Sequence, residues 1–149
     1  MIARFFRRLT AAMMALMMTA LLLLSLPAAA KENSLYEDLG GQRGVSALID
    51  QFLWNLADDE RINHFFVETN LGRFRDKLNE YFCQVADGPC SYSGDTMLRT
   101  HANLGITVAD FNVVVECLIH AMESEGVKTG VQNRLLKVLA TAFGDVVQH

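Results

Sequence analysis

Four stretches of this chain repeat their apolar residues every three or four positions, and none alternates them. Val45, Leu48, Ile49, Phe52, Leu53 and Leu56 fall on one face of a helix, which predicts a first long helix from about Gln42 to Ala57. Leu71, Phe74, Leu78, Tyr81, Phe82 and Val85 make a second stripe, with Asn70 as cap and an end near Ala86. Thr107 caps a third helix, with Asp110 completing a short-acid capping box; its stripe is Phe111, Val114, Val115, Leu118, Ile119 and Met122, and Gly126 stops it. The fourth runs from about Gly130 to Val147 through Val131, Leu135, Val138, Leu139, Ala142, Phe143 and Val146. Before the first helix, residues 35–39 form a single turn stopped by Gly40-Gly41. Asp58-Asp59 opens another short turn leading to Phe65-Phe66, and Lys31 to Ser34 reads as a polar leader. The pattern gives an all-α chain with no repeat and no linker that would divide it.

The start of the chain reads differently. Arg4, Arg7 and Arg8 precede an apolar run over residues 9–26, and Pro27-Ala28-Ala29-Ala30 then supplies a small-residue cleavage site. That is the layout of a secretory signal peptide over residues 1–30, which leads to an exported and periplasmic address. An uncleaved anchor over residues 9–26 is the competing reading. Arg7-Arg8 alone is too weak a signal for the twin-arginine route. Cleavage leaves residues 31–149 as one domain, and losing the three arginines takes the formal charge from −4 to −7. An acidic domain without a basic stripe repels phosphate backbones, so nucleic acid is set aside as a partner.

One histidine stands out. His101 lies on a very short predicted helix, between a loop rich in Gly, Pro and Ser (Asp87 to Asp95) and the long helix that begins at Thr107. A side chain pinned in this way can be aimed at one point, and neutral imidazole is a good donor to haem iron. The plainer alternative is a surface histidine or one satisfied within the core. His64, His120 and His149 have no partner pattern, and no histidine pair has the spacing of a zinc site.

The residues resemble the truncated haemoglobins, group I, over about Leu35 to Val147. The marks are Leu35-Tyr36 with Gly40-Gly41, Phe65-Phe66, Gly88-Pro89 with Tyr92-Ser93-Gly94, and above all Met97 to Phe111, with His101 in the place of the proximal ligand. The resemblance implies a globin-like two-on-two helical sandwich holding haem b between the second and third long helices. It implies Phe66 packed on the haem face, and Phe74, Leu78, Tyr81 and Phe82 from the distal helix. Met97, Phe111 and Val114 would line the proximal and far sides, with Leu53 and Tyr92 also in the cofactor-binding set. Thr69 and Arg73 are candidate propionate partners. All the apolar members are equally readable as ordinary core, because a haem is a large apolar plate.

The chain departs from the family pattern on the distal side. Group I proteins often carry a tyrosine where this chain has Leu53 and a glutamine where it has Leu78, and those groups donate hydrogen bonds to bound oxygen. Tyr81, one turn beyond Leu78, can supply a hydroxyl instead, or can simply turn it to solvent. Lys77 reads either as a propionate partner or solvated cation, or as a sixth ligand to iron through its neutral amine. Cys83 and Cys90, seven apart, either pair in an oxidising compartment or stay as thiols; Cys117 reads as a small core residue. There is no Cys-x-x-Cys-His for covalent attachment of haem.

The expected function is therefore reversible binding of a diatomic gas (O2, CO or NO) by an exported, His101-ligated haem protein, with the question of enzyme activity left open. Three alternatives remain. One is NO-detoxifying or peroxidase-like chemistry, which needs a stable oxy form and an unidentified electron donor. Another is six-coordinate electron transfer. The last is a haem-free helical interaction module.

Overall fold

A computed structural model describes residues 33–147; the signal-peptide and anchor readings fall on residues 1–30, outside the described part. Helix α1 (Leu35–Asp38) is followed by α2 (Gly41–Asp58), a 3-10 turn (Asn63–Phe66), α3 (Leu71–Val85), α4 (Met97–Thr100) and α5 (Val108–Ser124). Then come α6 (Thr129–Leu139), a second 3-10 turn (Ala140–Ala142) and α7 (Phe143–Val146). Among the described residues there is no strand, and no helix long and apolar enough to cross a membrane.

The fold begins one residue earlier than the polar leader suggested. Ser34 caps α1 by accepting from the Glu37 N–H at 3.2 Å, while Glu37 accepts from the Ser34 N–H at 3.0 Å. This is a reciprocal capping box, and Ser34-x-x-Glu37 is its sequence signature. Gly40 and Gly41 then turn the chain with φ of +91° and +63°, a backbone region that residues with a Cβ seldom enter.

Helix α2 is the hub. Val45, Leu48, Ile49, Phe52 and Leu56 are buried along it, and it packs against both α3 and α5. Each such side chain contributes on the order of 1.5–3 kcal/mol through burial. The Asn55 side-chain amide donates to the Cys117 carbonyl at 2.9 Å, joining α2 to α5. Helix α6 packs on α1 and α5 and buries Leu135.

The expected stripe on α5 needs correction. Leu118 and Met122 are buried, but their buried companions are Val113, Cys117 and Ala121; Phe111, Val114, Val115 and Ile119 are only half-buried. The helix is apolar around most of its circumference, so periodicity alone could not say which face would meet α2. Small residues at 113, 117 and 121 let the two helices approach, and that decides the matter.

The last helix also differs from expectation. It is not continuous from Gly130 to Val147 but is interrupted over Ala140–Ala142. The Thr141 hydroxyl donates to the Val138 carbonyl at 2.7 Å, taking up a backbone acceptor at the interruption. Apolar spacing stays helical on both sides, so the pattern does not register the break.

Candidate functional site

The turn that presents His101 is built from its two ends. Thr96 caps it, its hydroxyl accepting from the Arg99 N–H at 3.3 Å. The helix closes at Thr100, so His101 is its C-cap rather than a member. Its backbone N–H donates to the Met97 carbonyl at 3.1 Å, and its ring Nδ1 lies 2.8 Å from the same oxygen. A carbonyl only accepts, so Nδ1 carries the proton, and in the neutral ring Nε2 keeps its lone pair. The ring is half-buried. Asn103, with φ of +64°, then turns the chain towards α5, where Thr107 and Asp110 form the expected box. Those same Thr107 contacts hold the Asp110 carboxyl below its usual range.

The core leaves several of the expected apolar side chains half covered. Leu53, Phe66, Phe74, Leu78, Tyr81 and Val114 pack against the core without being enclosed by it. Phe66 stacks on Phe74 at 5.7 Å, and Phe111 meets Phe143 edge-on at 5.0 Å. The α7 turn that carries Phe143 packs on α4, which bears the half-buried Met97. Tyr81 meets Tyr92 edge-on at 5.3 Å. Burial, and then the nearness of Tyr92 and Asp145, push the Tyr81 phenol above its ordinary value, so it stays a protonated donor at neutral pH.

Two of the expected residues already have protein partners. Phe82 is only 3% exposed and packs on Phe52, so it belongs to the interior. The Lys77 amine is engaged by Glu80, one turn on, at 2.7 and 2.8 Å, and by the Ser93 hydroxyl at 2.5 Å. A carboxylate at that spacing is the nearest partner the helix offers an ammonium. Thr69 is half-buried just before α3, and Arg73 is exposed in its first turn.

Glu80 and Gln84, which the apolar stripe gave no reason to single out, tie the loop to α3. Glu80 Oε2 accepts from the Ser93 N–H at 2.9 Å and from the Ser93 hydroxyl at 2.8 Å. Lys77 and these two donors lower the Glu80 carboxyl to about 2. Gln84 Oε1 accepts from the Tyr92 N–H at 2.7 Å, and Cys83 is joined to Cys90 by a disulfide. Positions 80, 83 and 84 share one helix face, which is the signal that could have found them.

At the far end of α2, a polar recess is lined by Asn55, Asp58, Asp59, Glu60, Cys117 and His120. Burial and the neighbouring Asp59 carboxylate push the Cys117 thiol up, leaving it protonated. Among the described residues, no group of three or more His, Cys, Asp or Glu side chains can hold a metal ion. The donor set instead suits a metal that brings its own ring of ligands, to which one oriented imidazole is added. The half-covered aromatics suit the flat apolar body of that ring.

An all-helical frame with half-covered apolar side chains and one oriented imidazole fits the globins as a class. The family model for bacterial-like globins matches residues 34–148. The chain is 30% identical to the group 1 truncated hemoglobin GlbN of Mycolicibacterium paratuberculosis over 111 residues, covering 74% of this chain and 82% of that protein. It is 28% identical to the group 1 truncated hemoglobin of Tetrahymena pyriformis over 117 residues, covering 78% and 97%. The crystal structure of truncated hemoglobin from Tetrahymena pyriformis in its Fe(III) form superposes with a TM-score of 0.76 at 26% identity, covering 78% of this chain and all of that one. The chain belongs to the group 1 truncated haemoglobins, within the haem-binding globins.

Proposed function

We propose that this protein is exported and binds a diatomic gas reversibly at the iron of haem b held by His101. The observation that carries the reading is the bond from His101 Nδ1 to the Met97 carbonyl, which leaves Nε2 free as a neutral donor. When bound, haem would supply the iron at which a diatomic gas binds. The chain's own residues do the rest. Phe66, Phe74, Leu78 and Val114 would pack on the ring and keep water away, while the Met97 carbonyl holds the imidazole tautomer. Thr69 and Arg73 would meet the propionates. Leu53 and Leu78 offer no hydrogen bond to a bound gas, so Tyr81 is the nearest hydroxyl donor along α3.

Export is supported by two independent features. Residues 1–30 have the layout of a signal peptide, and the Cys83–Cys90 disulfide suits an oxidising compartment. Fractionation with N-terminal sequencing tests this: a periplasmic chain beginning at Lys31 is expected, and a membrane-bound chain that keeps residue 1 overturns it.

The haem reading is tested by absorption spectra of the purified protein, ferric and ferrous, with and without CO. A strong Soret band that shifts with CO and disappears in His101→Ala is expected. A chain that stays colourless when offered haem, or a His101→Ala variant with an unchanged spectrum, overturns it.

A further inference from the structure

The loop between α3 and α4 is not a free connection. Four ties hold it along one face of the distal helix: Lys77 to Ser93, Glu80 to Ser93, Gln84 to Tyr92, and the Cys83–Cys90 bond. Beyond the tied residues, a run of local contacts along the chain leads to the imidazole. Gly94 lies under the tip of the Tyr92 side chain, where an added Cβ would come within 2.2 Å of the hydroxyl oxygen. Asp95 then accepts from the Thr96 N–H at 2.9 Å, Thr96 caps α4, and the first residue of α4 supplies the carbonyl that holds His101. Thus α3, which carries the distal side chains, and His101 are ends of one fastened strap.

We propose that the Cys83–Cys90 disulfide is a redox-sensitive latch on this strap, and that its reduction loosens the His101 segment and speeds loss of the cofactor. The cofactor half of this proposal rests on the haem-binding reading above. The reductant is a dithiol. Its thiolate attacks Cys90 Sγ, the less buried sulfur, and the S–S bond breaks. Cys83 leaves as a thiolate and takes up a proton. The dithiol's second sulfur then closes on the mixed disulfide and releases Cys90 as a thiol. Two electrons and two protons pass from the dithiol to the pair, and the dithiol ends as a disulfide. What remains is Lys77, Glu80 and Gln84 holding the loop by hydrogen bonds alone.

The mature chain is compared before and after dithiothreitol, in wild type and in the Cys83→Ser/Cys90→Ser variant. Two rates are read. The first is tryptic cleavage after Arg99, which lies within the strapped turn, against cleavage after Arg134 in α6, far from it in sequence. The second is transfer of haem from the loaded protein to excess apomyoglobin. Reduction is expected to raise cleavage after Arg99 on the order of ten- to a hundredfold, with roughly no change after Arg134. It is also expected to speed haem transfer, and the serine variant should behave as the reduced wild type and ignore dithiothreitol.

Equal acceleration at Arg99 and Arg134 would mean a cross-link that merely stabilises the whole fold, and overturns the proposal. So does cleavage at Arg99 that ignores reduction, or an effect of dithiothreitol that persists in the serine variant. A normal Soret band with haem transfer unaltered by reduction overturns the latch alone. No Soret band in either redox state overturns the haem reading instead.

Discussion

His101 Nδ1 and the carbonyl oxygen of Met97, four residues apart, meet at 2.8 Å across a single turn of helix. The acceptor is backbone, so Met97→Leu leaves the bond in place and haem affinity nearly unchanged. Thr96→Ala removes the cap that accepts from the Arg99 N–H and frays the turn. Losing such a cap costs about 0.5–2 kcal/mol, so haem affinity should fall roughly two- to thirtyfold, read by titrating haem into the apoprotein.

Leu78 lies half-buried on α3 where it can donate nothing. Bound O2 gains superoxide character, and a neighbouring amide would hold it. Leu78→Gln should slow O2 release by roughly ten- to over a hundredfold, since a hydrogen bond to a charged group is worth about 1.5–3 kcal/mol. CO, being less polar, should be released at nearly the same rate. Stopped-flow measurement of both ligands checks the contrast; parallel slowing of the two would point to steric crowding.

The enclosed core and the half-covered face should respond differently to truncation. Leu48, only 1% exposed, sits at the centre of α2, and Leu48→Ala should cost about 2–5 kcal/mol of apoprotein stability. Val114 is half-buried, so Val114→Ala should cost the apoprotein well under half as much while weakening haem retention. Urea denaturation of the apoprotein, set beside haem transfer rates, separates the two effects.

Glu80 carries the pH dependence of the strap. Its carboxyl is lowered from 4.5 to about 2, first by Lys77 and then by the Ser93 N–H and hydroxyl. A group whose value falls on folding stabilises fully above its unfolded value and ceases to do so as pH drops through its folded one. The ties to Ser93 should therefore weaken between about pH 4.5 and pH 2. Amide exchange at Ser93, corrected for intrinsic rate, should accelerate across that window, and Glu80→Gln should remove the dependence.

Helix count, the Thr107–Asp110 box and the Asn70 cap could be read from spacing and residue type, because each depends on neighbours a few positions away. Which face of α5 turns inward could not, because the small residues Val113, Cys117 and Ala121 matter only once α2 lies against them. The break at Thr141 was hidden for a different reason: a hydroxyl can bond its own backbone without disturbing the apolar period. His101 was singled out by its setting between a loop and a capped helix together with the family resemblance, but the carbonyl its ring meets comes from the turn's own geometry. Glu80 and Gln84 look like solvated polar residues until the loop folds back on them.

Three sulfurs can pair in three ways, yet the folded chain offers only one. Cys117 is 4% exposed and lies against the Asn55 carbonyl and the Asp59 carboxylate, away from the other two. Once α5 has docked, an oxidant that reaches Cys83 and Cys90 finds no third competitor, so a latch opened in the native protein can close again without scrambling. Only molecules that have lost the docking of α5 would yield the wrong isomers, which makes mispaired chains a direct record of how often this protein unfolds in its own compartment.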